Sequence, residues 1–140
     1  MTLEGLTQNV IDAIGTILTQ AGVAFWPGFD GEYPASTQLP FVYAKRLPPD
    51  EAKALAINVY ARENNISTGS TTVRVQVLCR CPREADTVAD RVFDALHGLH
   101  HQHKGALRLA RIRHISTAQL GLSPGGMDER SDNYEITLNL

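Results

Sequence analysis

The residues whose types could support chemistry are concentrated between His97 and His103. On a helix, His97, His100 and His101 would share one side at three- and four-residue spacing, and His103 follows directly. Imidazole groups suit transition metals and general-base catalysis. However, Gly98 weakens a helix there, and neither a nearby cysteine or carboxylate nor a Gly-x-Ser-x-Gly nucleophile motif completes a site. The pattern favours surface or structural histidines, with a small metal-binding or hydrolytic site as the alternative.

The remaining chemical motifs are incomplete. Cys79 and Cys81 form a C-x-C pair without a second ligand pair, which is a weak zinc signal. On a strand they would point the same way about 7 Å apart at their Cα atoms, beyond normal disulfide reach. We interpret them as small core residues. The glycines of residues 121–126 lack the Gly-Lys-Ser/Thr ending of a phosphate-binding loop, so the sequence predicts no catalytic residue, metal or cofactor.

Charged residues on strands and loops are candidates for contacts with other molecules. A strand rich in arginine could bind phosphate, but no aromatic residues interleave, and a solvated or salt-bridged face explains it equally well. The mixed-charge run before the last predicted strand reads either as a solvated turn or as a contact site for an arginine-bearing partner. The candidate subunit or partner contacts are Arg62, Glu63, Asn64, Asn65, Arg74, Arg80, Arg108, Arg111, Asp128, Glu129, Arg130 and Asp132.

Length and charge limit the class of protein. The 140 residues suit a single domain, residues 1–140, with a real core. The 13 basic and 15 acidic residues nearly cancel, so there is no global signal for binding a polyanion. No basic region precedes an apolar run at the N-terminus, and no stretch approaches the roughly 18 apolar residues that cross a bilayer. The expectation is therefore a protein that stays in the cytoplasm where it is made, with no membrane partner.

These residues must be positioned by a strand and helix at the centre of the chain. Residues 71–81 alternate with a period of two, and Pro82 stops the ladder. Residues 83–98 then carry apolar side chains at helical spacing, so this helix must fold back over the apolar face of the strand. Truncating a large core side chain to alanine should cost about 2–5 kcal/mol. The predicted core positions are Val73, Val75, Val77, Val92, Phe93 and Leu96.

The flanking elements complete the predicted fold. A first helix runs from about Thr2, its N-cap, to Gln20, and Gly22 ends it in a left-handed conformation. Residues 23–26 could pair as an edge strand. Further strands are predicted at residues 41–47, in the second half of 50–60, at 105–115 with a bulge or bend between Leu109 and Ile112, and at 133–140. The segments 27–40, 62–70, 97–104 and 119–132 are predicted as loops, a hairpin tip and a connector. The fold class is α/β (α+β): an antiparallel or mixed sheet of four to five strands, with two helices mainly on one face.

The order of these elements resembles that of a known family. The strand at Val75–Arg80, the helix over residues 85–94, Ala95-Leu-His-Gly98, a basic strand, a Gly/Pro loop and the final stretch from Asp128 to Ile136 carry the resemblance. In this order they resemble the tail terminator and minor capsid (neck) proteins of long-tailed bacteriophages.

The resemblance implies a structural virion protein without catalytic residues. It implies a ring, of six copies, that caps the tail tube, ends its polymerisation and docks it to the head connector at the head-tail junction. The implied partners are other copies, the tail tube protein and the connector or neck proteins, with assembly in the host cytoplasm. No sequence-specific nucleic acid is implied, although DNA could touch the ring lumen passively. A neck, tail-completion or head-tail joining protein is the alternative.

Overall fold

The computed structural model describes residues 4–35, 38–49, 53–65, 67, 69–105 and 107–139. Over these residues the chain forms two helices and six strands. They are α1 (Leu6–Gln20), β1 (Phe41–Ala44), β2 (Ala54–Asn65), β3 (Ser70–Pro82), α2 (Asp86–Leu96), β4 (His100–Lys104), β5 (Leu107–Leu122) and β6 (Met127–Asn139). The α+β class with two helices is confirmed, whereas the predicted sheet of four to five strands is too small.

The six strands form one mixed sheet in the order β1-β2-β3-β6-β5-β4. Strand β1 pairs in parallel with β2, and the other neighbours are antiparallel. The missed strand is β4, within the stretch predicted as a polar connector. Its backbone pairs with β5 from His100↔Arg111 to Lys104↔Leu107. A strand at the edge of a sheet can be polar because backbone pairing on one side is enough to hold it.

The predicted loop over residues 119–132 is also wrong. Strand β5 continues to Leu122, and β6 begins at Met127 rather than at Asn133. A tight turn joins them, in which the N–H groups of Ser123 and Gly126 donate to Met127 O and Ser123 O at 2.8 and 2.9 Å. The charged residues at the start of β6 are held in the strand by their pairing within this long antiparallel hairpin. The sequence alone does not show these partners, so the residues are predicted as an irregular segment.

Both helices cover the same face of the sheet. Helix α1 packs against β2 and β5, and α2 packs against β5 and β6. The alternation predicted for β3 is confirmed, since every second residue from Val73 to Cys81 is buried while Arg74 is exposed. Both cysteines are free and buried, as expected of core residues, and burial raises the pKa of the Cys79 thiol. Of the predicted core residues, only Phe93 is left partly exposed.

Helix α1 begins at Leu6, after a left-handed Gly5. The predicted N-cap, Thr2, lies outside the described residues, and Gly22 has the expected left-handed φ of 73°. The buried Trp26 packs directly on Gly15, where an added Cβ would lie 2.4 Å from Trp26 Cγ. None of the described helices is long and apolar enough to cross a membrane.

The segment before β1, and strands β1 and β2, have bounds that differ from the predicted ones. Residues 23–26 contribute only a single bridge, Phe25↔Phe41, and β1 ends at Ala44 because Lys45 takes a positive φ of 74°. Strand β2 runs on to Asn65 and β3 starts at Ser70. The hairpin tip is therefore shorter than the predicted 62–70 segment.

Strand β5 is bent by bulges. The predicted irregularity between Leu109 and Ile112 is confirmed as a register shift between Leu109 and Arg111. Two further shifts, at His114/Ser116 and Gln119/Gly121, leave Ile115 and Leu120 without a direct partner in β6. A bulge inserts an extra residue into one strand and increases the local twist. Strand β5 therefore curves along its length.

Candidate functional site

Apart from the outer strands β1 and β4, two further stretches of strand in the described sheet pair on one side only. Strand β1 reaches only residues 54–57 of β2, so residues 58–65, here called the β2 edge, pair only with β3. Strand β4 reaches only to Arg111 of β5, and Ile112 bonds to Leu99 and Gly98. Residues 115–122, here called the β5 edge, pair only with β6. Unpaired strand edges are ready templates for pairing with another chain.

These two edges also carry most of the exposed apolar side chains. Among the described residues, six large hydrophobic side chains are exposed, and four of them lie on the edges. Tyr60 is 48% exposed on the β2 edge, and Ile115, Leu120 and Leu122 are 37%, 56% and 64% exposed on the β5 edge. The β5 edge contains no charged residue at all. The β5 edge therefore combines open backbone with apolar surface, whereas the β2 edge offers the exposed Tyr60 beside charged and amide side chains.

Four of the predicted contact residues, Arg62, Glu63, Asn64 and Asn65, lie on the β2 edge. Arg62, Glu63 and Asn64 are exposed there. Asn64 Oδ1 accepts a hydrogen bond of 3.0 Å from Thr71 Oγ1 on β3. Asn65 ends the strand, and its side chain is not among the described ones. The prediction that these residues contact a partner stays a prediction.

Another group of predicted contacts forms ion pairs on the sheet face away from the helices. Glu135 accepts from Arg74 on one side and Arg113 on the other, both at 3.1 Å. Arg80 Nε donates to Glu129 at 2.8 Å. The structure thus brings charges of β3, β5 and β6 into cross-strand pairs. These charges are therefore paired with one another within the chain.

Arg108 and Arg111 differ from these arginines. Both are exposed on β5 and face His103 and His100 across the β4-β5 pairing. Neither has an ion-pair partner among the side chains that the structure describes. The chain contains no acidic residue between Asp94 and Asp128, and all five histidines lie in that interval. The β4-β5 hairpin is therefore locally basic in a chain of net charge −2.

The mixed-charge run lies partly under helix α2. Asp128 is buried, and its Oδ2 accepts a 2.7 Å hydrogen bond from the Ala85 N–H at the start of α2. The carboxylate satisfies a backbone donor that the helix itself leaves open. Asp128 therefore helps to fix the start of α2 on the sheet, while its role in partner contact is a prediction still.

Arg130 joins α2 to the sheet. Its guanidinium donates to Asp132 at 3.0 and 3.2 Å, to Asp86 at 3.1 Å and to Asp90 at 2.8 Å. Burial by itself lowers the pKa of Arg130, but the hydrogen bonds to Asp90, Asp132 and Asp86 outweigh it, so the pKa is raised. The side chains of Arg130 and Asp132 are only 10% and 2% exposed. The Arg130–Asp132 pair lies within β6, and the contacts of Arg130 with Asp86 and Asp90 link this strand to α2.

The outer members of this cluster extend it across β5. Gln119 Nε2 donates to Asp86 at 2.6 Å, and together with Arg130 it holds the pKa of Asp86 below its ordinary value. Asp132 also accepts from Thr117 Oγ1 and lies 2.9 Å from His114 Nε2. One set of polar contacts therefore connects helix α2 with strands β5 and β6.

The histidines do not assemble as a helical cluster. Helix α2 ends at Leu96, and His97 Nδ1 accepts the His114 N–H at 3.0 Å while its ring stacks on Phe93. His100 and His101 lie on β4, outside any helix. In the described part of the chain, no group of three or more histidine, cysteine or carboxylate side chains is arranged to hold a metal.

The comparisons with known proteins agree with this architecture. A family model described as "Bacteriophage tail terminator protein" matches residues 17–140. The chain belongs to the bacteriophage tail terminator family. A solved chain from "Virion of native gene transfer agent (GTA) particle" superposes with a TM-score of 0.60 at 11% identity, over 93% of this chain and 94% of that one, and so shares its fold. No curated protein sequence matches significantly.

Membership of the tail terminator family confirms the resemblance carried by the sequence from Val75 onward. It makes the chain a structural tail protein of a phage-like virion. The ion pairs and strand edges described above are therefore features of a member of this family, in which assembly rather than turnover is the expected activity.

Sequence reasoning missed five members of the Arg130 cluster, which are Asp86, Asp90, His114, Thr117 and Gln119. Asp86 and Asp90 are four residues apart and so lie on one side of α2, which is a pattern visible in the sequence. That pattern could have been matched with an arginine in a facing strand. His114 gave no comparable signal, because its contact with Asp132 depends on the register between β5 and β6.

One buried group in this region lacks a partner. The Tyr134 hydroxyl is fully buried without a hydrogen-bond partner in the described part of the chain, and burial raises its pKa. An unsatisfied buried polar group costs about 1–3 kcal/mol. We expect Tyr134→Phe to raise the free energy of unfolding by about 1 kcal/mol in urea titrations, whereas Tyr60→Phe, at an exposed position, should change little. A less stable Tyr134→Phe variant would contradict this expectation.

Proposed function

We propose that this chain, as a single domain, assembles into a ring of six copies that caps the tail tube. The ring ends polymerisation of the tube and docks it to the head connector at the head-tail junction. Its partners are other copies of the chain, the tail tube protein and the connector or neck proteins. The function is one of shape and contact, with no step of catalysis.

The single observation that carries this proposal is the family match over residues 17–140. The strand edges support it physically. A protein working as a monomer usually blunts its edges with charges, proline or a covering loop. The β5 edge carries neither a charge nor a proline, and with the β2 edge it leaves open backbone on both sides of the described sheet, as a subunit with two neighbours requires.

The test is the length of tails assembled without the protein. A phage lacking it should produce abnormally long tails in electron micrographs, because nothing stops addition of tube rings. Supplying the protein in trans should restore a single tail length. Particles supplied with a variant destabilised in its core serve as the matched control.

Separate heads and tails of normal length would contradict this function. That result would assign the protein to head-tail joining, because the tube would then end correctly without it. Negative-stain images of the purified protein would add the ring size directly.

A further inference from the structure

The β2 edge and the β5 edge have the same length and similar boundaries. Each contains eight residues, 58–65 in β2 and 115–122 in β5. Each is bounded at one end by a partner strand, β1 or β4, and at the other by a hairpin turn. The β5 edge starts at Ile115 because the preceding N–H, that of His114, is taken by His97.

The directions of the strands fix how two copies could join. Three antiparallel steps separate β2 from β5, so the two strands run in opposite directions. In a neighbouring copy that continues the sheet, β2 keeps its direction and therefore lies antiparallel to β5. Each copy would use its β5 edge on one side and its β2 edge on the other. Such a head-to-tail contact forms a ring if its rotation closes.

We propose that the β5 edge of one copy pairs antiparallel with the β2 edge of the next. The proposal rests on the ring function above and names the surface through which the ring forms. Matching the centres of the two edges places Tyr60 opposite Leu120. In the same register Arg62 and Glu63 face Ala118 and Thr117, so no like charges meet.

The apolar side chains support a second copy as the occupant. Tyr60 and Leu120 are each the extra residue at a register shift, of β2 against β3 and of β5 against β6. They are 48% and 56% exposed. Pairing the edges would cover both, and an apolar contact across strands adds to the backbone hydrogen bonds.

The registers also fit a closed ring. Strand β6 serves as a common ruler for both edges. The centre of the β5 edge pairs with residues 130 and 131 of β6. The centre of the β2 edge, followed across β3, lies level with residues 135 and 136 of β6. The next copy would be shifted by about five residues, or about 17 Å along the strands. Four strand spacings of about 4.8 Å give a lateral step of about 19 Å. The strands would then tilt by about 40°, within the range of about 35–45° of closed barrels.

A disulfide between copies tests this register. Residues directly opposite in antiparallel strands have Cα atoms about 4.5–5.5 Å apart, within disulfide reach. Virions assembled with the double variant Tyr60→Cys and Leu120→Cys should, after oxidation, give a ladder of covalent multimers on non-reducing gels. The native cysteines are buried. The control pairs Leu120→Cys with Phe29→Cys, since Phe29 is 49% exposed but lies off both edges, and should give no ladder.

A second variant tests the edge without relying on one register. Leu120→Lys places a charge on the β5 edge and should abolish ring assembly while circular dichroism shows a folded chain. Phe29→Lys should assemble normally.

The outcomes separate this proposal from the function. Tails of normal length with no ladder, and rings that survive Leu120→Lys, would overturn the edge contact and leave the terminator function standing. A ladder in a protein whose absence leaves tails of normal length would support the contact and overturn the terminator function.

Discussion

Arg130→Met is expected to lower the free energy of unfolding by about 3 kcal/mol. Asp132, which is 2% exposed, would lose the one side chain of fixed positive charge that pairs with it among the described residues, and would keep His114 and Thr117 as partners. Breaking a buried pair by removing one partner typically costs about 3–5 kcal/mol, because the other charge stays buried. Asp86 and Asp90, at 45% and 67% exposure, can be solvated instead. Urea unfolding at a fixed protein concentration measures the change.

The control for this variant is Arg74→Met on the opposite face. Arg74 is 45% exposed, and its partner Glu135 keeps a second arginine, Arg113. Exposed ion pairs contribute about 0–1 kcal/mol, so little change is expected. The double variant Arg130→Met with Asp132→Asn should be more stable than Arg130→Met alone, since it removes the uncompensated charge. Equal losses for Arg130→Met and Arg74→Met would refute the internal role of the cluster.

Leu96→Ala should be comparably costly. Leu96 is the last residue of α2, fully buried at 0% exposure, and its loss would leave a cavity between the helix and the sheet. Leucine-to-alanine changes in cores cost about 2–5 kcal/mol, depending on how far the site can collapse. The midpoint of urea unfolding should fall with the slope unchanged.

Asp94→Ala, on the exposed side of the same helix, provides the comparison. It should change the free energy of unfolding by no more than about 0.5 kcal/mol. If Leu96→Ala were equally mild, α2 would not depend on this contact for its position on the sheet.

The elements with a clear apolar period could be predicted from sequence. Strand β3 alternates cleanly, and α1 and α2 bury one stripe each, so their faces follow from the spacing alone. The bulge after Leu109 was also visible, because the apolar phase slips there. These features depend on residues close together in the chain.

The elements that were missed depend on partners distant in sequence. The first half of β6 places Asp128, Arg130 and Asp132 on the covered face, which no period of apolar residues could indicate. Their burial is possible because Ala85, Asp86 and His114 supply partners. Strand β4 is polar and is defined only by its pairing with β5. The open edges likewise emerge only once the strand order is known.

The packing of Trp26 on Gly15 provides an intrinsic fluorescence probe of helix α1. The chain has one tryptophan, and its indole N–H donates to Asp12 on α1 at 2.9 Å while the ring lies against that helix. Its fluorescence therefore senses whether the first helix is docked, far along the chain from Arg130 and Leu96. An emission spectrum that shifts to the red before circular dichroism changes would reveal the undocking of α1 as a separate event, with no label added.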